Sequence, residues 1–186
     1  MESENPTGAD NQQETAQPSV ELDPLWIVGF VDGEGCFSVS VHRNHFMHRH
    51  GGWQLQCAFH VYQHRDHRDV LDDLRAYFGC GSIHSKGSQS DVFTYSVWAL
   101  RDLELVIVPF FEDWRLRVKA GDFSAFATIV RALRRREHFT REGFEQIVRL
   151  AYGMNANGKQ RSRTLDEVLA GSSETARQAS IASPMG

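Results

Sequence analysis

The stretch PLWIVGFVDGEGCFSVSV, residues 24–41, constrains the fold most. Asp23-Pro24 reads as a helix N-cap followed by proline in the first helical position, where its missing N–H costs nothing. The apolar run behind it predicts a helix over Leu25–Val31 that stops at the glycines of Asp32-Gly33-Glu34-Gly35. Alternation then begins at once. Phe37, Val39 and Val41 alternate with Ser38, Ser40, His42 and Asn44, the period of a half-buried strand. The chain thus sets its most acidic turn between a buried helix and a strand. Gly29 and Gly33 are four apart and share one side of the helix. Each glycine costs a helix about 1 kcal/mol against alanine. A pair on one side therefore points to close backbone approach, and the expected partner is the same helix of a second copy.

A second alternating run follows, with Leu55, Cys57, Phe59 and Val61 set against Gln54, Gln56, Ala58, His60 and Tyr62. The two runs form a long hairpin. Val70, Leu71, Leu74, Tyr77 and Phe78 have helical spacing, ended by Gly79-Cys80-Gly81. A second hairpin is expected from Ser82–Lys86 and Val92–Trp98. Asp102 is expected to cap a further helix that Pro109 interrupts or restarts. Ala120–Arg136 and Thr140–Tyr152 read as two more helices, with a short one at Leu165–Leu169. The order α-β-β-α-β-β-α with extra C-terminal helices defines an α+β fold: one four-stranded antiparallel sheet with helices on one face. The other face carries Ser, Gln, His, Asn and Lys and few acids. Side chains of that length suit base edges in a major groove; an ordinary solvated sheet face is the alternative.

The chain of 186 residues fits one domain, expected over 23–170, between an acidic segment 1–22 and a tail 171–186 that are both expected to be disordered. The net charge of −4 is uneven: residues 25–164 hold 15 of the 24 acids and 19 of the 20 Lys and Arg, a net of +4. A mildly basic body is compatible with nucleic acid. No apolar run is long enough for a bilayer and the start is not a secretory signal, so no membrane partner is expected. Cys36, Cys57 and Cys80 are scattered and read as core or near-core thiols of a reducing compartment. Seventeen of the 20 basic residues are Arg, a bias that points to a GC-rich bacterial source, hence cytoplasm or nucleoid, over an organelle. A symmetric dimer through the first helix would set two Glu34 carboxylates beside its axis. Paired carboxylates on a basic body suit divalent metal and phosphodiester hydrolysis.

Ile27-Val28-Gly29-Phe30-Val31-Asp32-Gly33-Glu34-Gly35 resembles the nine-residue motif of the LAGLIDADG homing endonucleases. The element order, Gln63, the GCGSI turn and the PFF…RVKAGDF stretch match as well, over about residues 22–170. One copy of the motif is present, as in the single-motif, homodimeric branch. The resemblance implies an endonuclease that cuts both strands of a long, roughly palindromic double-stranded DNA, leaving short 3′ overhangs, with Mg²⁺ or Mn²⁺ and no small-molecule substrate. It assigns metal binding to Glu34 and the Gly33 carbonyl, water organisation to Gln63, and transition-state charge to Lys119. His67 stands where some relatives carry a basic residue, and Asp32 is given a structural role. Trp26, Gly29, Phe30 and Gly33 would form the dimer interface. DNA would be read by Ser38, Ser40, His42, Asn44, Gln54, Gln56, His60, His84 and Lys86, with Asp91, Phe93 and Tyr95 on the fourth strand. Lys159, Arg161 and Arg163 would contact phosphates. Two other readings stay open. One is a binder on the same scaffold, an intron-splicing cofactor or DNA-binding regulator. The other is a zinc-binding interaction domain built on His42, His45, His48 and His50, although no cysteine or acid completes a zinc spacing there.

Overall fold

A computed structural model describes residues 22–44, 46, 49–154 and 163–172. The expected disorder of residues 1–21 and 173–186, the basic residues Lys159 and Arg161, and His45 and His48 lie outside the described residues.

Helix α1 spans Pro24–Glu34, and the Asp23 carboxylate caps it by accepting the Leu25 N–H at 2.7 Å. It does not stop at Val31. It runs on through Asp32 and Gly33 to Glu34 and passes directly into strand β1, Gly35–Arg43. Burial of Ile27, Val28 and Val31 against the core outweighs the small propensity cost of the two glycines. Gly35 makes the loopless junction possible. A Cβ there would stand 2.6 Å from Val31 Cγ1 and 2.7 Å from the Val31 carbonyl oxygen, so only glycine fits.

Strands β2 (Trp53–His64), β3 (Ser82–Ser85) and β4 (Val92–Val97) complete one antiparallel sheet in the order β1-β2-β4-β3. Helix α2, Asp69–Phe78, connects the hairpins and ends on Gly79, whose φ of +65° is left-handed. Beyond β4 come α3 (Leu100–Asp102), a π-helical turn (Leu103–Ile107) and α4 (Val108–Asp113). Asp102 does not cap this helix: it begins at Leu100, behind Ala99. Pro109 falls in the first turn of α4, where a missing N–H is tolerated. Helices α5 (Ala120–Arg134) and α6 (Arg141–Gly153) follow, then α7 at 165–172, longer than expected and including the first two residues assigned to the tail.

The helices cover one face of the sheet. Phe37 sits at the centre, with ring centroids 5.2–5.4 Å from those of Phe59, Phe111, Phe123 and Phe126. Ile27 and Val31 of α1 and Leu71, Leu74 and Phe78 of α2 join this core. Trp53, Phe144, Val148 and Val168 form a smaller cluster where β2, α6 and α7 meet. No described helix is long and apolar enough to cross a membrane.

Candidate functional site

The end of α1 gathers the chemistry. Helix carbonyls in a last turn lack intrahelical partners and carry the negative end of the helix dipole. Here the Lys119 ammonium, arriving just ahead of α5, donates to the Asp32 carbonyl and, at 3.3 Å, to the Gly33 carbonyl. The Asp32 carboxylate faces the same segment. Its Oδ2 accepts the N–H of Arg117 at 2.7 Å and of Val118 at 3.3 Å; its Oδ1 accepts that of Lys119 at 3.0 Å. Burial raises the Asp32 pKa, but those N–H groups and the Lys119 charge together outweigh it and hold the carboxyl below its ordinary value. Glu34 is exposed beside them. The two acids of the turn thus face different surroundings.

Gly35 pairs with Val61, so Gln63, two residues further along β2, lies at the Glu34 end of the sheet. Gln63 is half-buried, and its Oε1 accepts the His64 N–H at 2.8 Å. His67 is exposed on the 3-10 turn Arg65–His67 that follows β2. Asp32, Gly33, Glu34 and Lys119 are therefore in one place, Gln63 is at the same end, and His67 is further along the chain on the surface. Among the described residues no three His, Cys, Asp or Glu converge to hold a metal ion.

The strand register decides what the open face carries. Ser38, Ser40 and His42 pair across β1 and β2 with Ala58, Gln56 and Gln54. The Ser38 and Ser40 hydroxyls donate to the Ala58 and Gln56 carbonyls at 3.3 and 3.4 Å. The Asn44 amide donates to Gln54 Oε1 at 3.0 Å. His84 of β3 pairs with Thr94. Lys86 stands 5.2 Å from the ring centroid of Tyr62, an open-face residue that the sequence reading did not select. Ser96 and the 44%-exposed Trp98 are also on this face and were not selected either. Their signal was the same alternation, continued one strand further.

Three expectations on this face need correction. Tyr95 is fully buried among the core aromatics, and its hydroxyl donates to the Cys80 carbonyl at 3.1 Å. Phe93 shares that helix-side face, because it pairs with Gln63 as Tyr95 pairs with Val61. The Arg68 guanidinium lies 5.1 Å from the Phe93 ring centroid. Neither residue lines the open face. Asp91 precedes β4 and is ion-paired with Arg65. His60 does point to the open face but is only 9% exposed. Its Nδ1 bonds the Ser96 hydroxyl at 2.8 Å, and its ring meets Trp98 edge-on with centroids 4.8 Å apart.

Burial, aided by the charge of His84, takes His60 down to about 4 from 6.5, so it is neutral at neutral pH. The sign follows. Above pH 6.5 neither folded nor unfolded His60 is charged; below it the unfolded chain takes the proton first. Stability is lost progressively as pH falls from 6.5 towards about 4, in total by about 3 kcal/mol from this one group. In urea titrations across that window, His60→Gln is expected to flatten the decline. Parallel wild-type and variant profiles would show that His60 is not held neutral by the fold.

The outward side of α1 carries Trp26 and Phe30, stacked with centroids 4.9 Å apart. Gly29 and Gly33 are exposed, and a Cβ at either would meet nothing within 4 Å. Within one chain, therefore, neither glycine is required by packing. Arg163 is exposed, and its carbonyl accepts the Tyr152 hydroxyl at 3.0 Å. Arg134 and Arg135 are engaged by Glu104 and Glu137. His50 is pinned: Nε2 bonds the His138 carbonyl at 2.7 Å, and the ring stacks on Phe144 at 4.3 Å.

Comparison with known proteins agrees with this architecture. Residues 27–130 match the sequence family described as LAGLIDADG endonuclease, and the chain belongs to that family. It is 33% identical over 142 residues to the probable intron-encoded endonuclease 3 of Neurospora crassa, covering 76% of this chain and 26% of that protein. It is 29% identical over 154 residues to the homing endonuclease I-ApeII of Aeropyrum pernix, covering 77% of this chain and 86% of that protein. The chain spans 26%, 27% and 29% of the length of three curated relatives. Among solved structures, that of the homing endonuclease I-TnaI superposes with a TM-score of 0.69 at 34% identity, over 83% of this chain and 98% of that one. The archaeal intron-encoded homing endonuclease I-Vdi141I, complexed with DNA, superposes with a TM-score of 0.75 at 27% identity, over 83% and 96%. The α+β fold is that of the LAGLIDADG homing endonucleases.

Proposed function

We propose that the chain is a site-specific, Mg²⁺- or Mn²⁺-dependent DNA endonuclease, active as a homodimer on a long, roughly palindromic duplex. The observation that carries this reading is the turn at the end of α1. An exposed Glu34 stands beside the Gly33 carbonyl and the Lys119 ammonium, where the helix meets a polar, acid-poor sheet face. The donor set fits a hard divalent cation, since it consists of the exposed Glu34 carboxylate and the Gly33 carbonyl oxygen at the negative end of α1. One chain supplies too few ligands for a closed site. Phosphate oxygens, water and a second Glu34 would complete it across a dimer axis. A metal bound there supplies an activated water and stabilises the leaving oxygen. Glu34 and Gly33 bind and orient. Lys119 stabilises the charge that develops on the phosphate, and Gln63 holds the attacking water. Ser38, Ser40, His42, Asn44, Gln54, Gln56, His84 and Lys86 read the groove, each sheet covering about one helical turn.

Purified protein with Mg²⁺, offered the duplex formed by joining the DNA on either side of its reading frame, is expected to cut both strands and leave short 3′ overhangs. A chelator should stop the reaction. Tight duplex binding with no cleavage in Mg²⁺ or Mn²⁺ would overturn the nuclease reading in favour of a binding protein.

A further inference from the structure

We infer that Asp32 is the positioning residue for Lys119: it holds the lysine at both ends and so sets where the ammonium stands beside Glu34. The inference rests on the nuclease reading for its consequence but not for its geometry. The Lys119 N–H is anchored at 3.0 Å by Asp32 Oδ1, while the Lys119 ammonium returns to the Asp32 main-chain carbonyl and, at 3.3 Å, to that of Gly33. Asp32 Oδ2 takes the two preceding N–H groups, those of Arg117 and Val118. Burial does not hold this segment. Arg117 is exposed and Val118 is 81% exposed, and the nearest core anchor before them is Leu116. One carboxylate therefore substitutes for the missing hydrophobic contacts. A carboxylate accepts three N–H groups with no donor of its own to clash, whereas an amide would turn its NH₂ against them.

The arrangement divides the two acids of the turn. Glu34 is open to solvent and ligand, whereas Asp32 is committed to the protein. Its effect on a reaction would pass through Lys119 as a matter of position, the kind of displacement that costs about 100-fold in rate when a group moves by about 1 Å.

Only three lysines occur in the chain, Lys86, Lys119 and Lys159, so competitive amine labelling read by mass spectrometry resolves each. Asp32→Asn is expected to speed labelling of Lys119 at least about fivefold relative to Lys86. Asp32→Glu, which keeps the charge but displaces it, should fall between. Amide hydrogen exchange should quicken at residues 117–119 and remain slow at the β1–β2 pairing, which controls for folding. An unchanged labelling ratio would overturn the inference, whether or not the protein cuts DNA. On a duplex that the wild type cuts, Asp32→Asn should slow single-turnover cutting about 100-fold in the wild-type background and less than about twofold in Lys119→Met. Equal losses in both backgrounds would mean that Asp32 does not act through Lys119. Failure of the wild type to cut any duplex counts against the nuclease reading and leaves the labelling result to decide this one.

Discussion

Glu34→Gln is expected to bind the target duplex as the wild type does and to cut it about 1,000-fold more slowly or worse, roughly 4 kcal/mol of lost transition-state stabilisation. The reasoning is local. Glu34 is exposed at the last residue of α1, so the substitution removes a charge without opening a cavity in the fold. The amide is nearly isosteric but binds a divalent cation poorly, and in a homodimer the change removes both carboxylates brought to the axis. Asp32 provides the contrast, because its carboxylate is spent on three backbone N–H groups of the same chain. Gel-shift affinity in Ca²⁺ and single-turnover cleavage in Mg²⁺ separate binding from chemistry. A Glu34→Gln enzyme that cuts within tenfold of the wild type would refute the assignment of Glu34 as the metal-binding acid.

The second large effect concerns assembly. Gly29→Leu is expected to leave the single chain folded while weakening self-association at least about 100-fold, with cleavage lost in proportion. The two expectations pull in opposite directions, which makes the test sharp. Within one chain a Cβ at Gly29 meets nothing within 4 Å, and replacing a helical glycine stabilises the helix by up to about 1 kcal/mol. Against a second α1, the same side chain would force the backbones apart. Sedimentation velocity and thermal unfolding on the same samples read both quantities. A variant that sediments like the wild type would show that this side of α1 does not pack on a second copy.

Much of this architecture was legible from short-range pattern. The alternation of β1 and β2 is uninterrupted, so their faces were plain. The N-cap at Asp23 and the left-handed glycine at Gly79 mark helix ends by local geometry alone. Strand β4 was harder. In Val92–Val97 both faces mix apolar and polar side chains, so a phenol such as Tyr95 looked suited to the open face; its pairing with Val61 and Ile83 puts it in the core. His60 was assigned its face correctly but not its burial, which depends on Ser96 and Trp98 arriving from another strand.

What the sequence determined by itself is what neighbours along the chain decide: a helix and a strand on either side of Asp32-Gly33-Glu34-Gly35, the motif at their junction, the order of elements, and a polar sheet face poor in acids. These follow from periodicity and from glycine geometry, which act over a few residues. Tertiary structure decided the rest. It set which side of β4 faces the helices, since a two-residue alternation leaves a binary choice that only the adjacent strand's register resolves. It also brought Asp32 to the backbone of residues 117–119, more than eighty positions away, and so separated two acids of one turn into one that builds the site and one left open to use it.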